Sequence, residues 1–228
     1  MKEIPIVNQD FLNILKQWEW FYENRDHVDS VIHRIGTGKG RKPERTGYSY
    51  WTGEEYLKVI QNRGRSHEGY PDDLSAYNIR IDQAKWKGDI IDQDVYDKYT
   101  NYNEQMMIEL STRHNALCTL YPPGGYISWH NNANASAYNL IFTWSETGDG
   151  CFQYVDGKTN EMVVLQDKPG WQCRYGYFGS YHDSPEKLVY HSARTDCWRM
   201  TISYIFEAYD NAISHDFQLE IIEEILTG

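Results

Sequence analysis

The residue types with the most chemistry to offer lie in the second half of the 228-residue chain. On the apolar run ending near His130, β-strand alternation puts Ser128, His130 and Asn132 on one side, so an imidazole and an amide oxygen reach the same point. His191 sits on the run just before one whose alternation groups Arg199, Thr201 and Ser203. If those late strands fold back beside the His130 strand, two imidazoles, an oxygen donor and a buried cation converge. Imidazole nitrogens bind divalent transition metals, and a guanidinium grips a carboxylate through paired N–H donors. A lone histidine is more often a satisfied structural residue, and His114, His182 and His215 are read that way.

Positioning these groups requires strands. Short β-branched or aromatic runs cover Ala116–Tyr121, Tyr126–Asn131, Tyr138–Trp144, Cys151–Val155, Met162–Leu165, Trp171–Phe178, Leu188–Ala193 and Met200–Phe206. Pro, Gly, Asn and Asp separate them, and this succession predicts a jelly roll. Upstream, Phe11, Ile14, Leu15, Trp18 and Tyr22 recur at helical spacing, as do Phe217, Ile221, Ile222, Ile225 and Leu226 near the end. Further helices are expected over Gly53–Arg63 and Val95–Thr112. The expected organisation is a single domain, mainly β with flanking helices. A helical and loop support region spans residues 1–112, a jelly-roll core 113–208, and a C-terminal helix 209–228, which covers a sheet edge or a partner and leaves room for a homo-oligomer.

Composition narrows the function. A formal net charge of -11 argues against a general nucleic-acid or anionic-membrane binder. No stretch is apolar enough to span a bilayer, and Met1–Asp10 lacks a basic-then-apolar leader, so a cytoplasmic protein is expected. Cys118, Cys151, Cys173 and Cys197 form no Cys-x-x-Cys pair and read as reduced core residues. The glycine- and lysine-rich stretch from Ile35 to Gly53 reads as a loop. Its Gly36–Gly40 segment lacks the Gly-Lys-Ser/Thr ending of a phosphate-binding loop. Its Lys39–Arg45 cluster is the one place where an anionic substrate or nucleic-acid phosphate would be met.

The run Tyr121-Pro122-Pro123-Gly124-Gly125-Tyr126-Ile127-Ser128-Trp129-His130-Asn131-Asn132 resembles a segment of the prolyl-hydroxylase-type 2-oxoglutarate oxygenases: Tyr, two residues, Gly, five residues, then His-x-Asp. Pro169-Gly170-Trp171 through Phe178, then His191, then Arg199-Met200-Thr201, is similar to that family's late half. The resemblance spans about Ala116–Phe206 and implies a double-stranded β-helix. It also implies Fe(II) held by His130, Asn132 and His191. The cosubstrate 2-oxoglutarate would meet Arg199, with Thr201 and Tyr121 assisting. The implied activity is hydroxylase-type oxidation of an unidentified small-molecule or protein substrate.

Asn132 stands where the family carries a carboxylate. A neutral amide ligates metal less tightly, which leaves three outcomes open: an unusual His/Asn/His hydroxylase, a position for an exogenous anion as in related halogenases, or a non-catalytic jelly-roll binding or structural module. Asp183 and Glu186 are weaker candidates for the missing charge. Trp129, Asn134, Tyr138, Asn139 and Trp144 are candidates for the barrel mouth.

Overall fold

The computed structural model describes residues 1–32, 47–63, 71–80, 92–112, 114–133, 135–205 and 212–228. The Lys39–Arg45 cluster, the Gly36–Gly40 segment and Asn134 lie outside the described residues.

Eight strands make the jelly roll: β4 (His114–Tyr121), β5 (Tyr126–His130), β6 (Ala137–Ser145), β7 (Gly150–Val155), β8 (Met162–Gln166), β9 (Gly170–Phe178), β10 (His191–Thr195) and β11 (Arg199–Ile205). Three short strands precede them: β1 (Lys2–Ile4), β2 (Leu74–Ser75) and β3 (Tyr77–Asn78). The strands form a six-stranded sheet ordered β1-β9-β6-β11-β4-β3 and a five-stranded sheet ordered β2-β5-β10-β7-β8. Every pairing is antiparallel. The last strand therefore lies between the first and third of the eight, and the seventh between the second and fourth. This is the strand order of a double-stranded β-helix, as expected.

The residues before the jelly roll do more than support it. They include β1–β3, which extend both sheets at their edges. These strands, two or three residues long, are too short to register as periodic runs. The expected Leu188–Ala193 strand begins instead at His191, after a 3₁₀ turn at Pro185–Lys187, where the proline opens the turn.

The Phe11–Tyr22 stripe divides into α1 (Gln9–Gln17) and α2 (Trp20–Glu23). Asn8 caps the first, accepting the N–H groups of Asp10 and Phe11. A short helix α3 (Arg25–Val31) follows, then α4 (Tyr48–Trp51), α5 (Glu54–Asn62), α6 (Gln93–Leu110) and α7 (Ala212–Thr227). Asp92 caps α6, whose Val95, Tyr99, Tyr102, Met106 and Leu110 form a buried stripe.

Helices α4 and α5 pack against β5 of the five-stranded sheet, while α1–α3, α6 and α7 cover the outer face of the six-stranded sheet. Leu120, Cys118, Met200, Ile202, Tyr204, Leu140, Phe142, Trp144, Cys173 and Tyr175 pack there against Phe11, Leu15, Trp18, Met106, Ile222 and Leu226 in the largest core cluster. The C-terminal helix is thus seated on the chain's own core, and the Leu226 carbonyl accepts the N–H groups of Val7 and Asn8. All four cysteines are buried and free, as expected. No helix among the described residues is long and apolar enough to cross a membrane.

Candidate metal and anion site

Alternation turns every other residue of the six-stranded sheet inward, and that inner face is polar. Across it run two rows set by the strand register: Tyr121, Arg199 and Ser145, then Thr119, Thr201, Thr143 and Gln172. All seven are buried. Buried polar groups require partners, and Thr119 Oγ1 makes no hydrogen bond of ordinary geometry, its polar neighbour being the Tyr121 phenol. The opposing wall is apolar: Ile127, Phe152 and Ala193 cluster with Phe178 and Ile141. A polar wall facing an apolar one inside a closed barrel suits a small ligand with a polar end.

His130 and His191 meet at one end of this interior. They are register partners on β5 and β10, with ring centroids 4.1 Å apart. A β-bulge makes this possible. His191 pairs with His130 while Ala193 pairs with Ile127, so β5 spends an extra residue against β10. The extra residue lets Ile127 join the interior cluster and His130 meet His191. Ser128 Oγ accepts the Asp73 N–H, and Trp129, next to His130, packs outside the barrel with Tyr56, Leu57 and Ile60.

Both imidazoles are oriented by the backbone. His130 Nδ1 lies 2.7 Å from the Ser128 carbonyl and His191 Nδ1 lies 3.0 Å from that of Val189. A carbonyl only accepts, so each Nδ1 carries the proton and each Nε2 carries the lone pair, the tautomer a metal requires. Burial holds the His191 pKa well below its ordinary value, with the neighbouring His130 adding to the effect. Phe178 and Phe152 flank the His191 ring at 4.7 and 5.9 Å.

Asn132 lies two residues beyond His130, half-buried, where the chain has left the strand. The Asn131 side chain accepts the Ala133 N–H, Ala133 has φ 47°, and the Asn132 carbonyl accepts the Ala135 N–H. Asn132 thus sits in a turn beside the histidines rather than on their strand. Asp183 is committed elsewhere, accepting from the Ser180 N–H and hydroxyl and from the Tyr177 phenol. Among the described residues no group of three or more His, Cys, Asp or Glu side chains could hold a metal. A metal here would have two imidazoles and neutral oxygen donors.

Arg199, Thr201 and Tyr121 come together at the far end of β11. Arg199 donates to Thr201 Oγ1 at 2.5 Å and lies over the Tyr121 ring at 5.6 Å. Sequence reasoning missed the carboxylate beside them. Asp167, in the β8–β9 connection, accepts from Arg199 Nε at 2.7 Å and from Arg174 Nη1 at 3.1 Å, with all three side chains buried. Burial pushes the Arg199 pKa down, but Asp167 more than offsets this and holds it above the ordinary value. Burial lowers that of Arg174, and Asp167 only partly opposes it. The readable signal was the residue type: an Asp between a strand and a Pro-Gly turn looks like turn chemistry, so nothing marked it as inward-facing.

Of the expected mouth residues that are described, only Asn139 faces inward, where the Ser203 hydroxyl donates to its side-chain oxygen at 3.3 Å. Tyr138 stacks on Tyr175, and Trp144 belongs to the outer core. His182 is exposed and stacks on Tyr181; the side chains of His114 and His215 lie outside the described residues.

No family model and no curated protein matches the chain. Solved structures similar to it include a Pseudomonas putida prolyl-4-hydroxylase at 14% identity, covering 62% of this chain and 72% of that one with a TM-score of 0.35. A viral collagen prolyl hydroxylase from Paramecium bursaria Chlorella virus-1 aligns at 10% identity over 67% and 87% of the two chains, with a TM-score of 0.30. A predicted oxalate decarboxylase from Thermotoga maritima aligns at 15% identity over 46% and 72%, with a TM-score of 0.27. At these scores the fold assignment rests on the strand order rather than on the superpositions.

Proposed function

We propose that the protein is a non-haem iron(II), 2-oxoglutarate-dependent oxygenase of hydroxylase type. The observation that supports it is the His130–His191 pair, two buried imidazoles at 4.1 Å whose Nδ1 atoms are fixed on backbone carbonyls. His130 and His191 would hold the metal, with Asn132, two residues beyond His130, as the third ligand. Arg199, Thr201 and Tyr121 would receive the distal carboxylate of the cosubstrate at the other end of the polar wall. When bound, iron and 2-oxoglutarate together supply the power to activate O2. The chain's own residues orient and exclude: the carbonyls of Ser128 and Val189 fix the ring planes, and Phe152 and Phe178 keep water from the His191 side.

A second reading, a non-catalytic jelly-roll binding module, is favoured by Asn132 in the carboxylate's place and by the internal Asp167 partner of Arg199. Anaerobic titration of the protein with Fe(II) and 2-oxoglutarate separates the two. A weak visible charge-transfer band that vanishes in His130→Ala is the expected result. A folded protein that gives no band belongs to the second reading.

A further inference from the structure

The Arg174–Asp167–Arg199 cluster is buried throughout, and two guanidinium groups face one carboxylate. Within the cluster one positive charge is left over, opposed from outside it only by the largely exposed Glu3 carboxylate, the register partner of Arg174 on β1. Leaving a charge uncompensated in a dry interior is costly, so such a surplus is retained where an anion completes it. The chain makes room for the cluster. A Cβ on Gly150 would come within 2.8 Å of Asp167 Oδ2 and 2.9 Å of Thr195 Oγ1. The Gly150 carbonyl also accepts the Asp167 N–H at 2.9 Å, which pins this connection to the opposite sheet.

Asp167 takes the Nε–H of Arg199, and the other donors of that guanidinium point elsewhere. Nη1 reaches Thr201 Oγ1, and Nη2 lies 3.5 Å from Thr143 Oγ1, both on the polar inner row. Thr119, on the same row, has its hydroxyl beside the Tyr121 phenol. The Nη edge, with its spare N–H donors, therefore faces the interior because the Nε edge is occupied.

We propose that Asp167 is the residue that sets ligand charge at this end of the barrel. It turns the Nη edge of Arg199 inward and cancels one of two buried positive charges, so that the site accepts a single carboxylate group. This deepens the reading of the interior as a ligand site and depends on it, but it does not depend on iron. Asp167 acts through Arg199 and is a positioning residue.

The test is calorimetric titration of the metal-free protein with succinate, whose two ends are plain carboxylates. Asp167→Asn keeps an oxygen for the Arg199 Nε–H and removes the charge. It should bind succinate about tenfold more tightly than the unsubstituted protein while losing thermal stability without ligand. Equal or weaker binding overturns the proposal, as does a failure of both proteins to bind. If Asp167→Asn does not fold, Asp167→Asn combined with Arg174→Gln restores the single surplus charge and should match the unsubstituted affinity. Loss of binding in that double variant overturns the proposal too. With metal absent from these titrations, intact succinate binding beside a missing charge-transfer band removes the iron reading alone.

Discussion

The two faces of the six-stranded sheet are both buried, yet they are built from opposite materials. Outward, Leu120, Phe142, Met200, Ile202 and Cys173 meet the helices in one continuous apolar core. Inward, the same strands present Thr119, Thr143, Thr201, Gln172 and Arg199, equally sealed from solvent. Burying aliphatic groups stabilises a fold, whereas burying hydroxyls and guanidinium groups at best breaks even. The outer face holds the molecule together; the inner face is kept polar at a cost in stability, as expected of a surface that serves a ligand.

The sharpest way to break this contrast is to truncate one side at a time. Phe142 is fully buried and lies 5.6 Å from Phe11. Phe142→Ala should cost about 3–5 kcal/mol in denaturant unfolding, the usual price of such a cavity. Metal binding in the folded protein should be unchanged. If instead iron binding is lost at full folding, the faces are coupled and the division of labour is wrong.

A smaller effect of opposite sign is expected inside. Thr119→Val removes a buried hydroxyl that makes no hydrogen bond of ordinary geometry and has only the Tyr121 phenol as a polar neighbour, and it keeps the shape, so the ligand-free protein should gain up to about 1 kcal/mol. Succinate or 2-oxoglutarate should bind less tightly to it. A Thr119→Val protein that is less stable than the unsubstituted one would mean that the inner wall is already satisfied, by water or by the chain itself.

This asymmetry bears on what the sequence could reveal. Alternating β-branched and aromatic runs reported every strand of the jelly roll, because both faces of β4, β6, β9 and β11 are buried and keep strand-forming residues. The same alternation grouped His130 with Asn132 and Arg199 with Thr201, whereas Tyr121 and the pairing of His191 with His130 were implied by the resemblance to the prolyl-hydroxylase-type oxygenases. Alternation failed where the period breaks. The bulge in β5 puts Ile127 and His130 on one side although they are three residues apart, and no single residue type announces a bulge whose purpose is met in another strand. Trp129, Tyr138 and Trp144 read as mouth residues on aromatic character alone, although alternation with His130 and Asn139 puts all three on the opposite face. Asp167 was invisible for another reason: its partners Arg174 and Arg199 come from other strands, so its role exists only in the closed barrel.

A third expected effect concerns the polar end itself and shows only at alkaline pH. Tyr121 is buried, and that burial pushes its phenol up to about 12, with the Arg199 guanidinium over its ring and the neighbouring Thr119 hydroxyl opposing the shift. In the unfolded chain the same phenol ionises near 10. The folded form thus holds its proton to higher pH, and the stability this contributes is present in full below pH 10. It is lost as pH rises towards 12, as the unfolded chain releases its proton first. In Tyr121→Phe that loss should be shallower by roughly 2 kcal/mol across the interval, measured by denaturant unfolding at pH 9 through 12. Other buried tyrosines, such as Tyr56 and Tyr204, titrate in both proteins and cancel in the difference. Identical alkaline slopes would mean that water reaches Tyr121, and with it the Arg199 end, so that the inner face is polar because it is wet rather than because it waits for a ligand.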